Sequence, residues 1–220
     1  MSIKDRRKMN QLEKILILSP HTDDGEIGAG GTIARFIEEG KEIYYVAFSS
    51  CEASVPAGFP GDILKKECKK ATGILDIKPE NVILMDYEVR MFPLHRQGIL
   101  DDMIALNKEL GPDLILVPSS NDIHQDHQVI YAEALRAFKK NASIWGYEHP
   151  WNNLTFTTDI FVKLEERHIM KKIEAMKQYE SQNFRPYFDE KYIKALAYVR
   201  GAQVNYTFAE AFELIRLLVR

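Results

Sequence analysis

The amino-acid sequence predicts an α/β fold, a single domain with a mostly parallel sheet flanked by helices. Three observations lead to this fold class. Short apolar, β-branched runs alternate with segments of helical periodicity. The 220 residues suffice for one large domain, and no clear linker divides them. Finally, strands separated by helices of this length are typical of βαβ units. The expected arrangement is therefore Rossmann-like.

The individual elements follow from the same patterns. The predicted strands are Lys14–Leu18, Glu42–Phe48, Val82–Met85, Leu114–Val117 and Ile144–Tyr147. The predicted helices between them are near Thr32–Glu39, Ile63–Ala71, Gly98–Glu109 and Gln125–Lys139. The first helix is expected to stop at Gly40, since glycine commonly follows a helix end. In sheets of this kind, ligands bind at the carboxyl ends of the strands.

The remaining segments are less regular. Residues 1–12 are predicted to be an N-terminal tail, and Ala53–Asp62, rich in proline and glycine, a loop at the ligand-binding edge. That loop is either a lid or a plain connector. Beyond Trp151, helical stretches are expected at about Glu165–Ser181 and Glu190–Arg200, with a last helix at about Ala209–Val219.

Composition excludes several classes of partner. With 45% hydrophobic residues, 28% charged residues and a formal net charge of −3, the chain resembles an ordinary soluble globular protein. This charge gives no electrostatic reason to expect nucleic acid or an anionic membrane as a partner. No apolar run reaches the roughly 18 residues of a membrane span. Cys51 and Cys68 are expected to be reduced thiols in a cytoplasmic protein.

Two unusual polar stretches each follow a predicted strand. PHTDDGEIGAGGT, residues 20–32, follows the first strand, and NDIHQDHQ, residues 121–128, follows Leu114–Val117. Adjacent carboxylates such as Asp23 and Asp24 repel each other and are costly to desolvate. Because both stretches are predicted at the same edge of the sheet, their side chains should meet there. The candidate site residues are His21, Asp23, Asp24, His124, Asp126 and His127.

A divalent metal would offset the repulsion between these carboxylates. Imidazole and carboxylate together suit zinc, and three protein ligands leave a position open for water. A spare carboxylate could then act as a general base, and a spare histidine could stabilise an oxyanion. Taken alone, the Asp23–Asp24 pair would more often be a solvated turn or a helix N-cap. The coincidence of two such stretches favours a metal site.

These motifs resemble the LmbE-like family, the N-acetylglucosaminyl-phosphatidylinositol de-N-acetylase (PIG-L) superfamily of zinc-dependent deacetylases. PHTDD, GAGGT and HQDH match the family's motifs in order, and YVRGAQVNYTFAEAFELIR is similar to its C-terminal end. The resemblance covers nearly the whole chain. The sequence departs from the family in having Thr22 where proline is common and Gly25 where glutamate is common.

The resemblance implies a role for each candidate residue. The implied zinc ligands are His21, Asp24 and His127. Asp23 would be the general base, and His124 would stabilise the oxyanion and could protonate the leaving amine. Asp126 would orient His124 and favour its charged form. The implied reaction is hydrolysis of an N-acetyl group on an amino sugar or sugar conjugate. Family members often form homo-oligomers, which is therefore expected here.

Two other functions remain open at this stage. The same ligands could serve a metal-dependent hydrolase of another bond, such as a phosphoester. A non-catalytic, Rossmann-like nucleotide-binding module is disfavoured, because the glycine-rich stretch does not complete G-x-G-x-x-G and its acidic residues would repel a pyrophosphate. His149, Trp151 and Arg200 are each assigned either to substrate contact or to packing.

Overall fold

A computed structural model describes residues 12–219 of the chain. The strands are β1 (Lys14–Ser19), β2 (Glu42–Ala47), β3 (Val82–Leu84), β4 (Leu114–Pro118), β5 (Ser143–Tyr147), β6 (Ile160–Leu164) and β7 (Phe208–Arg216). The helices are α1 (Asp24–Glu38), α2 (Ile63–Ile74), α3 (Arg96–Leu110), α4 (Gln125–Phe138), α5 (Glu166–Met176) and α6 (Glu190–Ala202). Apart from Leu12, the predicted N-terminal tail lies outside the described residues.

The strands form one sheet in the order β3-β2-β1-β4-β5-β7-β6. Strands β1 to β5 are parallel, whereas β7 runs antiparallel to both of its neighbours, β5 and β6. From β1 the chain moves outward to β2 and β3, and it then returns to place β4 on the other side of β1. In such sheets a ligand crevice opens where the strand order reverses, at the carboxyl ends of the strands. Here that point lies between β1 and β4.

Helices cover both faces of the sheet, and each face has its own apolar core. Side chains of β1 alternate between the two cores, with Ile15 and Ile17 in one and Leu16 and Leu18 in the other. This alternation is the two-residue period of a strand. The single mostly parallel sheet between helices confirms the predicted fold class.

Helix α1 begins earlier than predicted, and the glycines of GAGGT lie inside it. A Cβ atom on Gly25 would lie 2.6 Å from the Tyr45 ring, and one on Gly28 would lie 2.5 Å from the Tyr147 ring. Glycine therefore lets α1 pack closely against β2 and β5. The glycines of this stretch, which the sequence pattern alone would place in a tight turn, are helical because this packing outweighs the low helix propensity of glycine.

The predicted last helix, Ala209–Val219, is wrong, because most of this segment belongs to strand β7. Its alanine, glutamate and leucine residues favour a helix, but the segment lies between β5 and β6 and completes their hydrogen bonding. Strand β6 was not predicted from the sequence. Glu210 on β7 is buried and accepts a hydrogen bond from Lys172 Nζ at 2.6 Å, so a buried ion pair ties this strand to α5.

The other predicted strands and helices are confirmed within a few residues at their ends, except that the helix predicted to reach Ser181 ends at Met176. Helix α4 buries one face, on which His127, Ile130, Ala134 and Phe138 lie. Cys51 and Cys68 are buried free thiols. None of the helices formed by residues 12–219 has the length and apolar character required to cross a bilayer.

Candidate metal centre and active site

The two polar stretches of the sequence meet at the point where the strand order reverses. One leaves β1 and enters α1, and it carries His21, Asp23 and Asp24. The other leaves β4 and enters α4, carrying His124, Asp126 and His127. Because β1 and β4 are adjacent and parallel, their carboxyl ends lie side by side. The candidate residues therefore line one pocket, apart from Asp126, which is buried beneath it.

Three of these side chains bring donor atoms into a compact triangle. His21 Nδ1 lies 3.0 Å from Asp24 Oδ2, and His127 Nε2 lies 3.2 Å from the same oxygen. The two ring nitrogens are 3.3 Å apart. Two imidazoles and a carboxylate that converge at such distances have the donor chemistry of a zinc site.

Carboxylates hold both imidazoles from behind. Asp126 Oδ2 lies 3.0 Å from His21 Nε2, and Asp122 Oδ2 lies 2.7 Å from His127 Nδ1. Histidine ligands of metals usually have this second partner, which fixes the ring orientation and raises the basicity of the ligand nitrogen. The sequence analysis missed Asp122. Its signal was a second acidic residue, beside Asp126, in the NDIHQDH stretch.

The electrostatics of this cluster favour positive charge at its centre. Burial lowers the pKa of His21, but Asp24 and Asp126 outweigh it and raise this pKa to about 10. Burial likewise lowers the pKa of His127, whereas Asp24 and Asp122 raise it to about 9. Burial opposes ionisation of Asp24, yet the two histidines hold its pKa well below the usual value. A metal cation would compete with protons for these ring nitrogens.

Asp23 differs from its neighbour. It occupies the N-cap position of α1, but its side chain makes no capping hydrogen bond and lines the pocket beside the donor atoms. Burial and the nearby charge of Asp24 raise the pKa of Asp23 to about 6. A carboxylate with such a pKa can accept a proton and release it near neutral pH.

His124 is held by the backbone of α4. Its Nδ1 accepts a hydrogen bond from the backbone N–H of Asp126 at 3.2 Å. Burial and the neighbouring His127 and His21 lower the pKa of His124 to about 4, so the ring is neutral at pH 7. Because Nδ1 is the acceptor, the neutral ring carries its proton on Nε2.

The structure places the Asp126 carboxylate on His21, whereas the sequence analysis predicted that it orients His124. Asp126 also accepts the backbone N–H of Arg90 at 2.6 Å and that of Phe92 at 3.3 Å. It thereby links the loop after β3 to the group of His21, Asp24 and His127, which we call the metal-type cluster. The favoured charged form of His124 is not found, since its pKa is lowered rather than raised.

The three residues with open roles differ in their surroundings. His149 is fully buried, and its Nε2 is 3.1 Å from the backbone oxygen of Asp24. Arg200 forms an ion pair with Glu148. The Trp151 ring stacks on Tyr187, with 3.8 Å between ring centroids, and also on His149, but it is partly exposed and lines the pocket. Of the three, Trp151 is therefore the one placed to contact a ligand in this pocket.

More than one combination of donors occurs in this cluster. Donor atoms within 4.8 Å of one another come from His21, His124 and His127, and also from Asp24, His127 and His149. His127 is common to both sets. His124 is less suited to the centre, because its Nδ1 accepts from the backbone and its Nε2 therefore carries the proton. His149 contacts the Asp24 carbonyl through Nε2 and keeps Nδ1 for another partner.

Comparison with known proteins identifies the family. Residues 16–138 match the family described as PIG-L: GlcNAc-PI de-N-acetylase. The uncharacterized deacetylase YaiS of Escherichia coli is 28% identical over 176 residues, covering 78% of this chain and 93% of that protein.

Two solved structures have the same fold. The N,N'-diacetylchitobiose deacetylase from Pyrococcus horikoshii has a TM-score of 0.77 at 22% identity, covering 92% of this chain and 84% of that chain. GalB, the 4-carboxy-2-hydroxymuconate hydratase from Pseudomonas putida, has a TM-score of 0.76 at 20% identity, covering 94% and 98%. At these identities the likeness supports the fold and not one reaction. The match over residues 16–138, which include both site motifs, shows that the chain belongs to the PIG-L family.

Proposed function

We propose that the protein is a zinc-dependent N-deacetylase that hydrolyses the N-acetyl group of an amino sugar or sugar conjugate. The description of the family and the name of the related YaiS protein support a deacetylase. The diacetylchitobiose deacetylase of the same fold supports an amino sugar as the substrate class. The cytoplasmic location and the homo-oligomer expected from the sequence remain predictions.

The observation that carries this proposal is the triangle of donor atoms from His21, Asp24 and His127. Its sides of 3.0, 3.2 and 3.3 Å are close to the distance of about 3.3–3.4 Å between ligands in a tetrahedral zinc site. The donor set of two imidazoles and a carboxylate fits zinc, and these three residues would hold it. When bound, zinc supplies Lewis acidity, which lowers the pKa of a water and polarises an amide carbonyl.

Asp23 would move the proton in this reaction. Its carboxylate accepts a proton from the attacking water while the water oxygen bonds to the amide carbon. The protonated Asp23 then delivers that proton to the amine nitrogen as the carbon–nitrogen bond breaks, which releases acetate and the free amine. The raised pKa of Asp23, about 6, suits both steps near neutral pH.

His124 would stabilise the charge that develops on the carbonyl oxygen. Its Nδ1 accepts from the backbone, so Nε2–H is the available donor. A neutral ring donates this hydrogen bond but has no second proton for the leaving amine, which is why that proton is assigned to Asp23. Asp126 and Asp122 would hold the rings of His21 and His127 in orientation.

Two alternative reactions could use the same residues. A phosphoester hydrolase would need the same activated water, and the hydratase of similar fold shows that this architecture also hosts water addition. Neither alternative has a specific observation in its favour here. Both would be recognised by their products, since only deacetylation releases a primary amine.

The decisive experiment measures zinc content and amine release together. Protein purified without added metal should contain about one zinc per chain, and it should release amine from N-acetylglucosamine, diacetylchitobiose or a related glycoside. The Asp24→Ala variant serves as the control and should lose both zinc and activity. Stoichiometric zinc with phosphate release or hydration, but no amine, would overturn the proposed reaction. Full amine release by metal-free protein would overturn the role of zinc.

A further inference from the structure

The wall of the candidate active-site pocket carries two arginines in addition to the metal-type cluster. The pocket has a volume of about 320 Å3, at the lower end of the range for small-molecule sites, and it is open to solvent. Beyond the metal-type cluster and Asp23, the charged side chains on its described wall are Arg90 and Arg185, and no further carboxylate lines it. The other wall residues are neutral. A purely neutral sugar would not require two cationic groups here.

Both arginines differ from most other arginines of the chain in their partners. The guanidinium of Arg90 donates to Ser54 Oγ at 2.9 Å. Arg185 donates from Nε to Gln182 Oε1 at 2.8 Å and from a terminal nitrogen to Tyr187 Oη at 2.9 Å. All of these acceptors are neutral. By contrast, a carboxylate pairs with each of Arg35, Arg96, Arg136, Arg167 and Arg200.

The backbone of Arg90 is fixed next to the metal-type cluster. Its φ angle of 71° lies in the left-handed region, which is unfavourable for a residue other than glycine. In this conformation its N–H donates to Asp126 Oδ2 at 2.6 Å, and Asp126 in turn contacts His21. The backbone of Arg90 is therefore held in a fixed position next to the metal-type cluster, and this limits where its side chain can reach. Strained backbone of this kind is often found at functional sites.

Arg185 is held in place by its neighbours. Its guanidinium lies over two aromatic rings, 5.2 Å from the centroid of Phe184 and 5.8 Å from that of Tyr187. Together with its hydrogen bonds, these contacts restrict a side chain that would otherwise lose much conformational entropy on binding a ligand. Arg185 is half-buried, so an anion that reaches it is partly shielded from water.

We propose that Arg90 and Arg185 bind an anionic group of the substrate, so that the preferred substrate is an N-acetylated amino sugar that carries a carboxylate or a phosphate. The substrate class rests on the deacetylase function proposed above, whereas the anion site does not. A guanidinium offers several N–H donors in a planar fork that matches either anion. Neither arginine forms an ion pair with a carboxylate among the described residues, although burial and Asp24 raise the pKa of the nearby Asp23 and the charge of Arg185 acts to lower it. The ligand would supply the direct anionic partner of each.

The test compares binding of one neutral and two anionic probes to the zinc-loaded protein by calorimetry. The neutral probe is the methyl glycoside of N-acetylglucosamine. The anionic probes are its carboxymethyl glycoside and N-acetylglucosamine 6-phosphate, which distinguish a carboxylate site from a phosphate site. We expect at least one anionic probe to bind about ten-fold or more tightly than the neutral probe, the effect of one charge-assisted hydrogen bond.

Matched variants distinguish a probe whose anionic group is bound by the arginines from one whose anionic group is bound by the metal. Arg90→Gln and Arg185→Gln should each reduce the preference for the anionic probe by roughly ten-fold. Arg185→Lys keeps the charge but loses the fork, and it should fall between wild type and Arg185→Gln. Arg216→Gln is the control, because Arg216 is an exposed arginine of β7 outside the pocket. It should change none of the affinities.

The outcomes distinguish the two proposals. Equal affinity for neutral and anionic probes would overturn the anion site, and so would a preference that survives both Arg90→Gln and Arg185→Gln. In the second case the metal would be the anion's partner. A preference that depends on the arginines, without amine release from any probe, would support the anion site while overturning the deacetylase function. Circular dichroism of each variant checks that it is folded.

Discussion

The two loops that build the candidate site use their carboxylates in different ways. In the β4 loop, residues 119–124, and the first turn of α4 that follows, Asp122 and Asp126 each hold the outer nitrogen of an imidazole. In the β1 loop, residues 20–23, and the first residue of α1, Asp24 lies between the two inner ring nitrogens. Asp23 takes no part in the ion pairs formed by the described residues. The carboxylates of the β4 side therefore support the imidazole rings, whereas those of the β1 side are the ones proposed to bind zinc and move the proton.

The hydrogen bonds around each loop agree with this division. Ser119 Oγ and the Ser120 N–H of the β4 loop both donate to Glu213 of β7, and the His124 N–H donates to Asp122. The C-terminal strand thus stabilises the supporting loop. The β1 loop is held mainly through its backbone, as when Tyr179 Oη donates to the Thr22 carbonyl at 2.6 Å. This leaves the Asp23 side chain available to water and substrate.

Removal of a ligand should have the largest effect. Asp24→Ala takes the shared oxygen from both imidazoles, and His127→Ala removes the proposed ligand on α4. We expect either variant to lose stoichiometric zinc and measurable deacetylation, because three protein ligands are the minimum for such a site. Metal content after dialysis, measured by mass spectrometry, checks this. Full retention of zinc by both variants would contradict the ligand assignment.

Asp23→Asn should separate chemistry from metal binding. The amide keeps the size of the side chain but cannot accept the proton, so we expect near-normal zinc content and a fall in kcat of about 10²- to 10⁴-fold. Zinc content and amine release measured on the same preparation check this prediction. Wild-type kcat in this variant would show that another group is the base. Loss of zinc would instead make Asp23 part of the metal site.

Asp122→Asn tests whether the β4 side is a support. The variant removes the charge behind His127 but leaves every proposed ligand in place, so zinc affinity or activity should fall about 10- to 100-fold. Asp126→Asn, its counterpart behind His21, should have an effect of similar size. Competition with a chelator measures both affinities. Unchanged affinity in both variants would mean that the carboxylates behind the rings do not stabilise the site.

The site residues could be predicted from the sequence because local motifs carry them. PHTDD and HQDH each follow a buried apolar strand, so strand order alone brought His21, Asp24 and His127 to one edge. Asp122 was missed because its partner is identified only by the fold of the loop. The partner of Asp126 was assigned wrongly for the same reason, since the His124 ring two positions away along the chain and the His21 ring on the β1 loop compete for one carboxylate.

The C-terminal strands could not be predicted, and this failure has a physical cause. The segment FAEAFELIR has strong helix formers, but hydrogen bonding with β5 and β6 outweighs local propensity. Glu210 makes the strand still harder to predict from the sequence, because its buried carboxylate is compensated by Lys172 from a distant helix. The length of α1 was underestimated for a related reason. Its glycines suggest a turn until the side chains that they pack against are known, which are Tyr45 for Gly25 and Tyr147 for Gly28.

The smallest effect is expected from Gly28→Ala, which tests whether the β1 side depends on the close packing of α1. The new Cβ would lie 2.5 Å from Cδ2 and 2.9 Å from Cβ of the buried Tyr147, atoms near the backbone that cannot easily move away. We therefore expect a loss of about 1–3 kcal/mol in the free energy of unfolding, measured by urea denaturation of metal-free protein.

Gly73→Ala is the matched control, because Gly73 lies in α2 and a Cβ there meets nothing within 4 Å. It should be neutral or raise stability by up to about 1 kcal/mol, the difference in helix propensity between glycine and alanine. A shift of α1 away from β5 would also move Asp24 relative to His127, which α4 holds in place. Gly28→Ala should consequently weaken zinc binding where Gly73→Ala does not. Equal zinc affinity in the two variants would mean that the β1 loop keeps its ligand geometry independently of α1.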